Sequence, residues 1–255
     1  MRADIYLFQY EYVKSRQKAK SLILSQNVKI DGRVIDKPSF EIEESIEHIV
    51  EIFNDCPYVS RGGLKLEAII QHAKLDVNGK VCLDIGASSG GFTDCLLKNG
   101  AVKVFAVDSG TNQLDVSLRN NQRVVSYENL NARFLDKELF KTLVDIVTID
   151  VSFVSQTLIM PSAFSLINDN GLYVSLIKPQ FEAGRQNVGK GGIVKDKKAR
   201  LIAVMRVIEC AEHLSYKCTH FIKSPIQGGD GNTEYLAVFS KNGREISKEV
   251  IKELI

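Results

Sequence analysis

The chain has 255 residues, 44% apolar and 25% charged, which excludes wholesale disorder and a fibrous repeat and, at about 150 residues per domain, predicts one large or two unequal domains. No uncharged apolar run approaches the roughly 18 residues that a membrane span needs, and Met1-Arg2-Ala3-Asp4-Ile5-Tyr6 has neither an apolar signal core nor a cleavage site, so a cytoplasmic protein with no membrane partner is expected. The net charge is only +2, and the five cysteines include no Cys-x-x-Cys pair, which argues against a disulfide framework or a thiolate zinc site; no metal is expected.

Residues 1–57 read as a small module. Lys14 to Ser25 places Ala19, Leu22 and Ile23 at helical spacing among basic residues. Val28-Lys29-Ile30 and Arg33-Val34-Ile35 then alternate about Asp31-Gly32, the signal for a hairpin with a primed turn. From Lys14 to Lys37 seven bases face two acids, a local balance of +5, whereas Glu41 to Asp55 holds six acids and no base. A second basic stretch, Lys178 to Arg206, sets eight bases against Glu182 and Asp196, a balance of +6. Two positive patches on a near-neutral chain point to a polyanionic partner, with an ordinary solvated surface as the competing reading. Asn54-Asp55-Cys56-Pro57 reads as the linker.

Residues 58–255 change pattern. A helix is predicted over Leu64 to Ala73, and apolar strands over Val81–Ile85, Val104–Val107, Val144–Ile149 and Leu172–Ile177, with helical stretches between several of them. Such alternation predicts an α/β fold with a mostly parallel sheet covered on both faces and ligands at the carboxyl ends of its strands. Cys218–Ile222 and Tyr235–Phe239, separated by the glycine-rich loop 227–232, are candidates for an antiparallel pair at the sheet edge.

The loop Asp84-Ile85-Gly86-Ala87-Ser88-Ser89-Gly90-Gly91-Phe92-Thr93 follows the first of these strands. Its glycines permit a tight turn and close ligand approach, and a helix N-terminus follows. Neither the spacing of a dinucleotide fingerprint nor the Lys-Ser/Thr of a P-loop is present. Asp108 ends the next strand, where a carboxylate can accept from both hydroxyls of a ribose. An acid before the glycines and another one unit later fit S-adenosylmethionine better than a phosphate-bearing nucleotide. Asp84, Gly86, Ser88, Gly90, Gly91, Phe92 and Asp108 are therefore the candidate donor-binding residues; glycines that merely allow helix–strand packing are the alternative.

Lys65, Asp150, Lys178 and Glu234 form a second set. Asp150 and Lys178 directly follow predicted strands, Glu234 precedes the last one, and Lys65 lies in the helix leading into the domain. A ribose 2′-hydroxyl is a poor nucleophile, so transfer to it needs a group that orients it and takes its proton. Lys65 and Asp150 would act on Lys178 in opposite directions, which leaves its protonation state open. For any one of these residues a surface ion pair is an adequate explanation; their joint placement at strand ends argues for a site.

These segments resemble, over essentially the full length, the TlyA family of ribosomal RNA methyltransferases, some members of which are labelled hemolysins. Arg16-Gln17-Lys18-Ala19-Lys20-Ser21-Leu22-Ile23, the Asp31-Gly32 hairpin and Lys37-Pro38-Ser39 resemble the RNA-binding module of ribosomal protein S4. Tyr58 to Leu66, Asp84 to Phe92, Thr148 to Phe153, Ile177 to Glu182 and Gly231 to Glu234 resemble an FtsJ-like catalytic domain. The resemblance implies a Rossmann-like methyltransferase sheet and 2′-O-methylation of cytidine in ribosomal RNA with S-adenosylmethionine as donor, on the large subunit in the family's short form, which this chain resembles, and on both subunits in its longer form. It also implies Lys65, Asp150, Lys178 and Glu234 as a catalytic tetrad. RNA contacts are expected from Lys14, Arg16, Lys18, Lys20, Lys29, Arg33 and Arg61, the substrate is ribosomal RNA or a ribosomal subunit, and the chain is expected to act as a monomer. The competing readings are a non-catalytic RNA-binding assembly factor, a membrane-lytic protein and a cytosine-C5 methyltransferase. The last would need a cysteine nucleophile beside the target base, and neither Cys82 nor Cys95 follows a proline.

Overall fold

A computed structural model describes residues 1–255 except 25–26, 54–55 and 229–230. The chain divides into two compact units, Met1–Pro57 and Tyr58–Ile255.

The first unit contains α1 (Ala3–Gln9), α2 (Arg16–Leu24) and a three-stranded antiparallel sheet of β1 (Val28–Ile30), β2 (Arg33–Val34) and β3 (Val50–Ile52), in the order β2-β1-β3. The basic helix begins two residues later than predicted, and its expected end at Ser25 lies outside the described residues, as do Asn54 and Asp55 of the linker. Asp31 and Gly32 both take positive φ, 52° and 76°, the conformation of a primed hairpin turn. Two elements went unpredicted. Helix α1 buries Ala3, Tyr6 and Leu7 against Ala19, Leu22 and Ile23 of α2, and β3 covers the free edge of β1.

The second unit is a seven-stranded sheet with helices around it. Its strands are β4 (Val81–Ile85), β5 (Lys103–Val107), β6 (Val124–Tyr127), β7 (Val144–Ile149), β8 (Ile167–Ile177), β9 (Lys217–Lys223) and β10 (Tyr235–Ser240), ordered β6-β5-β4-β7-β8-β10-β9. The neighbours from β6 to β8 are parallel, and β10 is antiparallel to both β8 and β9. Five strands, β4, β5, β7, β8 and β10, are buried along most of their length, which is why they read as largely apolar runs. The chain leaves β4 for β5 and β6 and returns to β7 on the other side of β4, so a topological switch point lies at the carboxyl ends of β4 and β7.

Helix α3 (Gly62–Ala73) leads into the sheet, and α4 (Gly91–Lys98), α5 (Val116–Arg119), α6 (Lys137–Phe140), α7 (Met160–Ser165) and α8 (Pro179–Glu182) follow β4, β5, β6, β7 and β8 in turn. The longest helix, α9 (Lys197–His213), starts on Asp196, whose side chain accepts from Lys198 N, and buries Ala199, Ala203, Val204, Val207, Ile208 and Ala211. These positions fall on one face at helical spacing, and each fully buried Val or Ile contributes about 1.5–3 kcal/mol. Helix α10 (Lys248–Leu254) closes the chain. Among the described residues no helix is long and apolar enough to cross a membrane.

Candidate active site

The glycine loop begins where β4 ends. Gly86 has φ +80°, and a Cβ there would collide with the carbonyl oxygen of Asp150, whose amide in turn donates to Ile85 O at 2.9 Å. The loop after β4 and the first residue after β7 are therefore in backbone contact at the switch point. Gly90, at φ +95°, leaves no room for a side chain under Leu114 and Leu118. Gly91 faces Ser60 and Gly63, which packs the first turn of α4 on the first turn of α3. The Tyr58–Leu66 segment and the glycine loop are thus one assembly.

The candidate donor residues divide into two groups. Asp108 is half-buried; its Oδ2 accepts from Ser88 N at 2.8 Å and its Oδ1 from Gly110 N at 2.7 Å. A carboxylate offers about four lone-pair directions, so Asp108 fixes the loop and keeps acceptor capacity. Gly86 is half-buried and Ser88 exposed, with φ +49°. Asp84, by contrast, is fully buried beneath the loop, where Thr93 Oγ1 donates to it at 2.7 Å and Thr148 Oγ1 at 2.9 Å. Burial pushes its carboxyl up to about 6, against the two hydroxyls that hold it down. The expectation of a direct donor contact from Asp84 is corrected: it supports the loop from inside. Phe92 is likewise buried, its ring beneath Gly62.

The four residues of the second set form two ion pairs at this edge. Lys65 Nζ meets Glu234 Oε2 at 2.5 Å, and both side chains are buried. Lys178 Nζ lies 2.5 Å from Asp150 Oδ1 and donates to Ser152 Oγ at 3.0 Å. Asp150 Oδ1 is buried and accepts no hydrogen bond; its contact with Lys178 is electrostatic and lies off the hydrogen-bonding direction. Strand register explains the convergence. Tyr235 of β10 pairs with Ile177 of β8, so Glu234 and Lys178 are the next residues out on adjacent antiparallel strands, and Ile149 pairs with Ser175, which puts Asp150 beside them. Two residues before Glu234, the buried side chain of Asn232 accepts from Val194 N at 3.0 Å and donates to Gly192 O at 2.9 Å, which ties this segment to residues 192–194.

Sequence reasoning missed an aromatic pair here. Phe153 is 93% exposed, takes φ +65°, and its ring lies 5.2 Å from that of Phe181. A bulky residue held at positive φ with its ring in water is costly in two ways, and its only signal in the sequence was its place two residues after Val151 in the Thr148–Phe153 motif. A cavity of about 700 Å³ lies elsewhere: Leu75, Leu172, His220, Ser240 and Arg244 line it at the amino edge of the sheet, and none of the four paired residues does.

The description of the FtsJ-like methyltransferases matches residues 58–241. The chain belongs to the FtsJ-like methyltransferase family. Ahead of the FtsJ-like part, the S4 domain description matches residues 1–45. Full-length relatives place the chain among the TlyA-type members. It is 43% identical over 244 residues to Hemolysin A of Brachyspira hyodysenteriae, covering 94% of this chain and 99% of that one. It is 37% identical over 255 residues to the 16S/23S rRNA (cytidine-2'-O)-methyltransferase TlyA of Mycobacterium tuberculosis, covering 100% and 95%. A solved structure from Streptococcus thermophilus described as a hemolysin is 37% identical, with a TM-score of 0.80 over 100% of this chain and 94% of that one. In the FtsJ-like unit the paired lysines and acids are thus set at the carboxyl edge of a methyltransferase sheet.

Among the expected RNA contacts, Lys14, Lys20, Arg33 and Arg61 are exposed and Lys18 and Lys29 half-buried. Lys29 Nζ and the Arg33 guanidinium sit 4.8 Å over the rings of Phe53 and Phe40, and Lys18 Nζ donates to Cys56 O at 3.3 Å. Arg16 plays a structural part, since its Nε meets Asp4 Oδ2 at 2.9 Å while Arg2 Nε meets Oδ1 at 2.9 Å. Burial pushes the Asp4 carboxyl up, but the two guanidiniums outweigh it and hold the group below the usual carboxylate range.

Proposed function

We propose that this chain transfers a methyl group to the ribose 2′-hydroxyl of a cytidine in ribosomal RNA, with S-adenosylmethionine as donor, in the cytoplasm. The observation that carries the proposal is the meeting of two lysine–carboxylate pairs, Lys65–Glu234 and Lys178–Asp150, at the sheet edge that also holds the glycine loop and Asp108.

The loop chemistry fits the donor. Residues 84–93 contain no basic side chain to neutralise a phosphate, while Asp108 retains acceptor capacity for ribose hydroxyls. Gly86, Ser88 and Asp108 would hold the donor, with Asp84, Gly90, Gly91 and Phe92 shaping the loop beneath. Bound there, the donor supplies an electrophilic methyl on a sulfonium. The remaining work is positioning and proton transfer. Lys178 orients the 2′-oxygen, and the proton that the hydroxyl loses as it takes the methyl passes to the Lys178–Asp150 pair. Lys65 and Glu234 neutralise each other beside it and keep the edge from carrying an isolated buried charge. Phe153 against Phe181 offers a stacking surface for the target base once it leaves the RNA stack.

RNA affinity comes from phosphate contacts. Lys14, Lys18, Lys20, Lys29 and Arg33 supply them in the first unit. In the second they come from Arg61 and from Arg185, Lys190, Lys195, Lys197 and Lys198, all exposed. The test is mass-spectrometric mapping of ribose-methylated cytidines in both ribosomal RNAs, from a strain with and without the gene. At least one methylated cytidine, expected in the large-subunit RNA, should vanish on deletion and return with the wild-type chain but not with Lys178→Ala. Identical maps in the two strains would overturn the proposal.

A further inference from the structure

Behind the Lys178–Asp150 pair, an enclosed carboxylate ties together the two loops that carry these residues. Glu182, the last residue of α8, is 2% exposed. Its Oε2 accepts from Ser155 Oγ at 2.5 Å and its Oε1 from Gln156 N at 2.8 Å. These two residues end the loop that holds Asp150, Ser152 and Phe153. Gln156 is anchored to β8, where its Nε2 donates to Leu176 O at 3.3 Å and its Oε1 accepts from Ser175 Oγ at 2.6 Å. The backbone carbonyl of Glu182 accepts from Arg206 Nη1 in α9 at 3.1 Å, which fixes the post itself.

Burying a carboxylate whose oxygens meet only neutral donors is costly. Burial does push the Glu182 carboxyl up, against the Ser155 hydroxyl, the Gln156 amide and the more distant charge of Arg206, which hold it down. An apolar residue would fill the same space without that cost. What an apolar residue cannot do here is bind a hydroxyl and an amide of the neighbouring loop together. The loops are thus bridged in front by Lys178, through Asp150 and Ser152, and behind by Glu182, with the Phe153–Phe181 contact between.

We infer that Glu182 is a positioning residue for methyl transfer: it pins the 150–155 loop to α8 so that Asp150 and Ser152 meet Lys178, and Phe153 meets Phe181. The inference rests on the proposed role of the Lys178–Asp150 pair. Misplacing reacting groups by about 1 Å from a distance can slow an enzyme on the order of a hundredfold, so the loss should fall on turnover and not on donor binding.

The test compares the full-length wild type with Glu182→Ala, Glu182→Gln and Ser155→Ala. The readouts are kcat and KM for methyl transfer to ribosomal RNA, S-adenosylmethionine affinity by calorimetry, and thermal unfolding. Glu182→Ala should lower kcat by about 10–100-fold with donor affinity within about twofold. Glu182→Gln should recover kcat to within about threefold, because its amide oxygen still accepts from Gln156 N–H and its NH2 donates to Ser155 Oγ. Ser155→Ala should lie between. A kcat for Glu182→Ala within about twofold of wild type, a parallel loss of donor binding, or a Gln variant as slow as the Ala variant overturns the inference. If Glu182→Ala does not fold, Ser155→Ala decides: turnover at the wild-type rate overturns it. A wild-type chain that transfers no methyl to ribose brings down the proposed function and this inference with it, whereas an active wild type with an unaffected Glu182→Ala brings down this inference alone.

Discussion

The carbonyl oxygen of Asp150 fills the space that a side chain on Gly86 would need, so the residue that pairs with Lys178 also sets the shape of the glycine loop. Gly86→Ala therefore does two things: it places an L-residue at φ +80°, and it drives a methyl group into the Asp150 backbone. Gly79 is the control, since its φ of +73° carries the first penalty but nothing lies within 4 Å of its Cβ position. Gly79→Ala should cost about 1–2 kcal/mol of stability and leave activity intact, while Gly86→Ala should reduce turnover by on the order of a hundredfold. Calorimetric donor binding and methyl incorporation measure the difference.

The two lysines should fail differently. Lys65 and Glu234 are both buried, so Lys65→Ala leaves an uncompensated carboxylate and should destabilise the unit by roughly 3–5 kcal/mol. Lys178→Ala leaves Asp150, whose side chain is 23% exposed, with access to water; it should abolish methylation while donor binding stays near normal. Thermal unfolding of the two variants, set beside donor titrations, would refute this if Lys178→Ala proved the less stable one.

In the first unit, Arg16 and the other bases are separable by the same logic. Arg16→Ala removes one of two guanidiniums from the buried Asp4 carboxylate and should cost roughly 1–3 kcal/mol of stability. Lys14→Ala with Lys20→Ala removes exposed charge only. That pair should weaken RNA binding and reduce the salt slope by about two, with melting unchanged. Filter binding over a range of salt concentrations, read beside melting curves, checks both; a slope that does not move would remove this face from the RNA interface.

Asp84 gives a pH dependence with a definite sign. Its carboxyl, ordinarily near 3.8, titrates near 6 in the folded chain, so between these values the folded state binds more protons than the unfolded one. Its contribution to stability therefore falls as pH rises from about 4 to about 6, by on the order of 3 kcal/mol, and is level above that. Asp84→Asn keeps an acceptor for one threonine and has no charge to lose. Relative to wild type it should gain stability across that window, and denaturant melts at pH 4.5 and 7.5 would contradict this if the difference between the two proteins were the same at both.

Much of the second unit was legible because strands buried on both faces must be apolar throughout: Val81–Ile85 and Val144–Ile149 have the predicted bounds. The elements that escaped lack that constraint. Val124–Tyr127 is an edge strand, only half-buried, and β8 begins five residues early because Ile167-Asn168-Asp169-Asn170-Gly171 has the composition of a turn. Helix α1 is seven residues long and contains a buried Asp4, so its pattern was masked until Arg2 and Arg16 were seen to neutralise it.

Of the site, the sequence by itself determined which chemical groups are available and that each borders a strand or the glycine loop, because apolar periodicity and glycine placement are local properties of the chain. Which lysine meets which acid was decided only by the tertiary structure. Lys65 and Glu234 are 169 residues apart, and the register of β10 on β8 brings Glu234 beside Lys178 while Lys65 reaches it from α3. Burial was decided there too: Asp84 and Asp108 both end strands, yet one lies sealed under the loop and the other holds it from the rim. Side-chain chemistry is carried by each residue alone, whereas ion pairing and desolvation depend on what distant segments place within a few ångströms, and only the packed sheet supplies that.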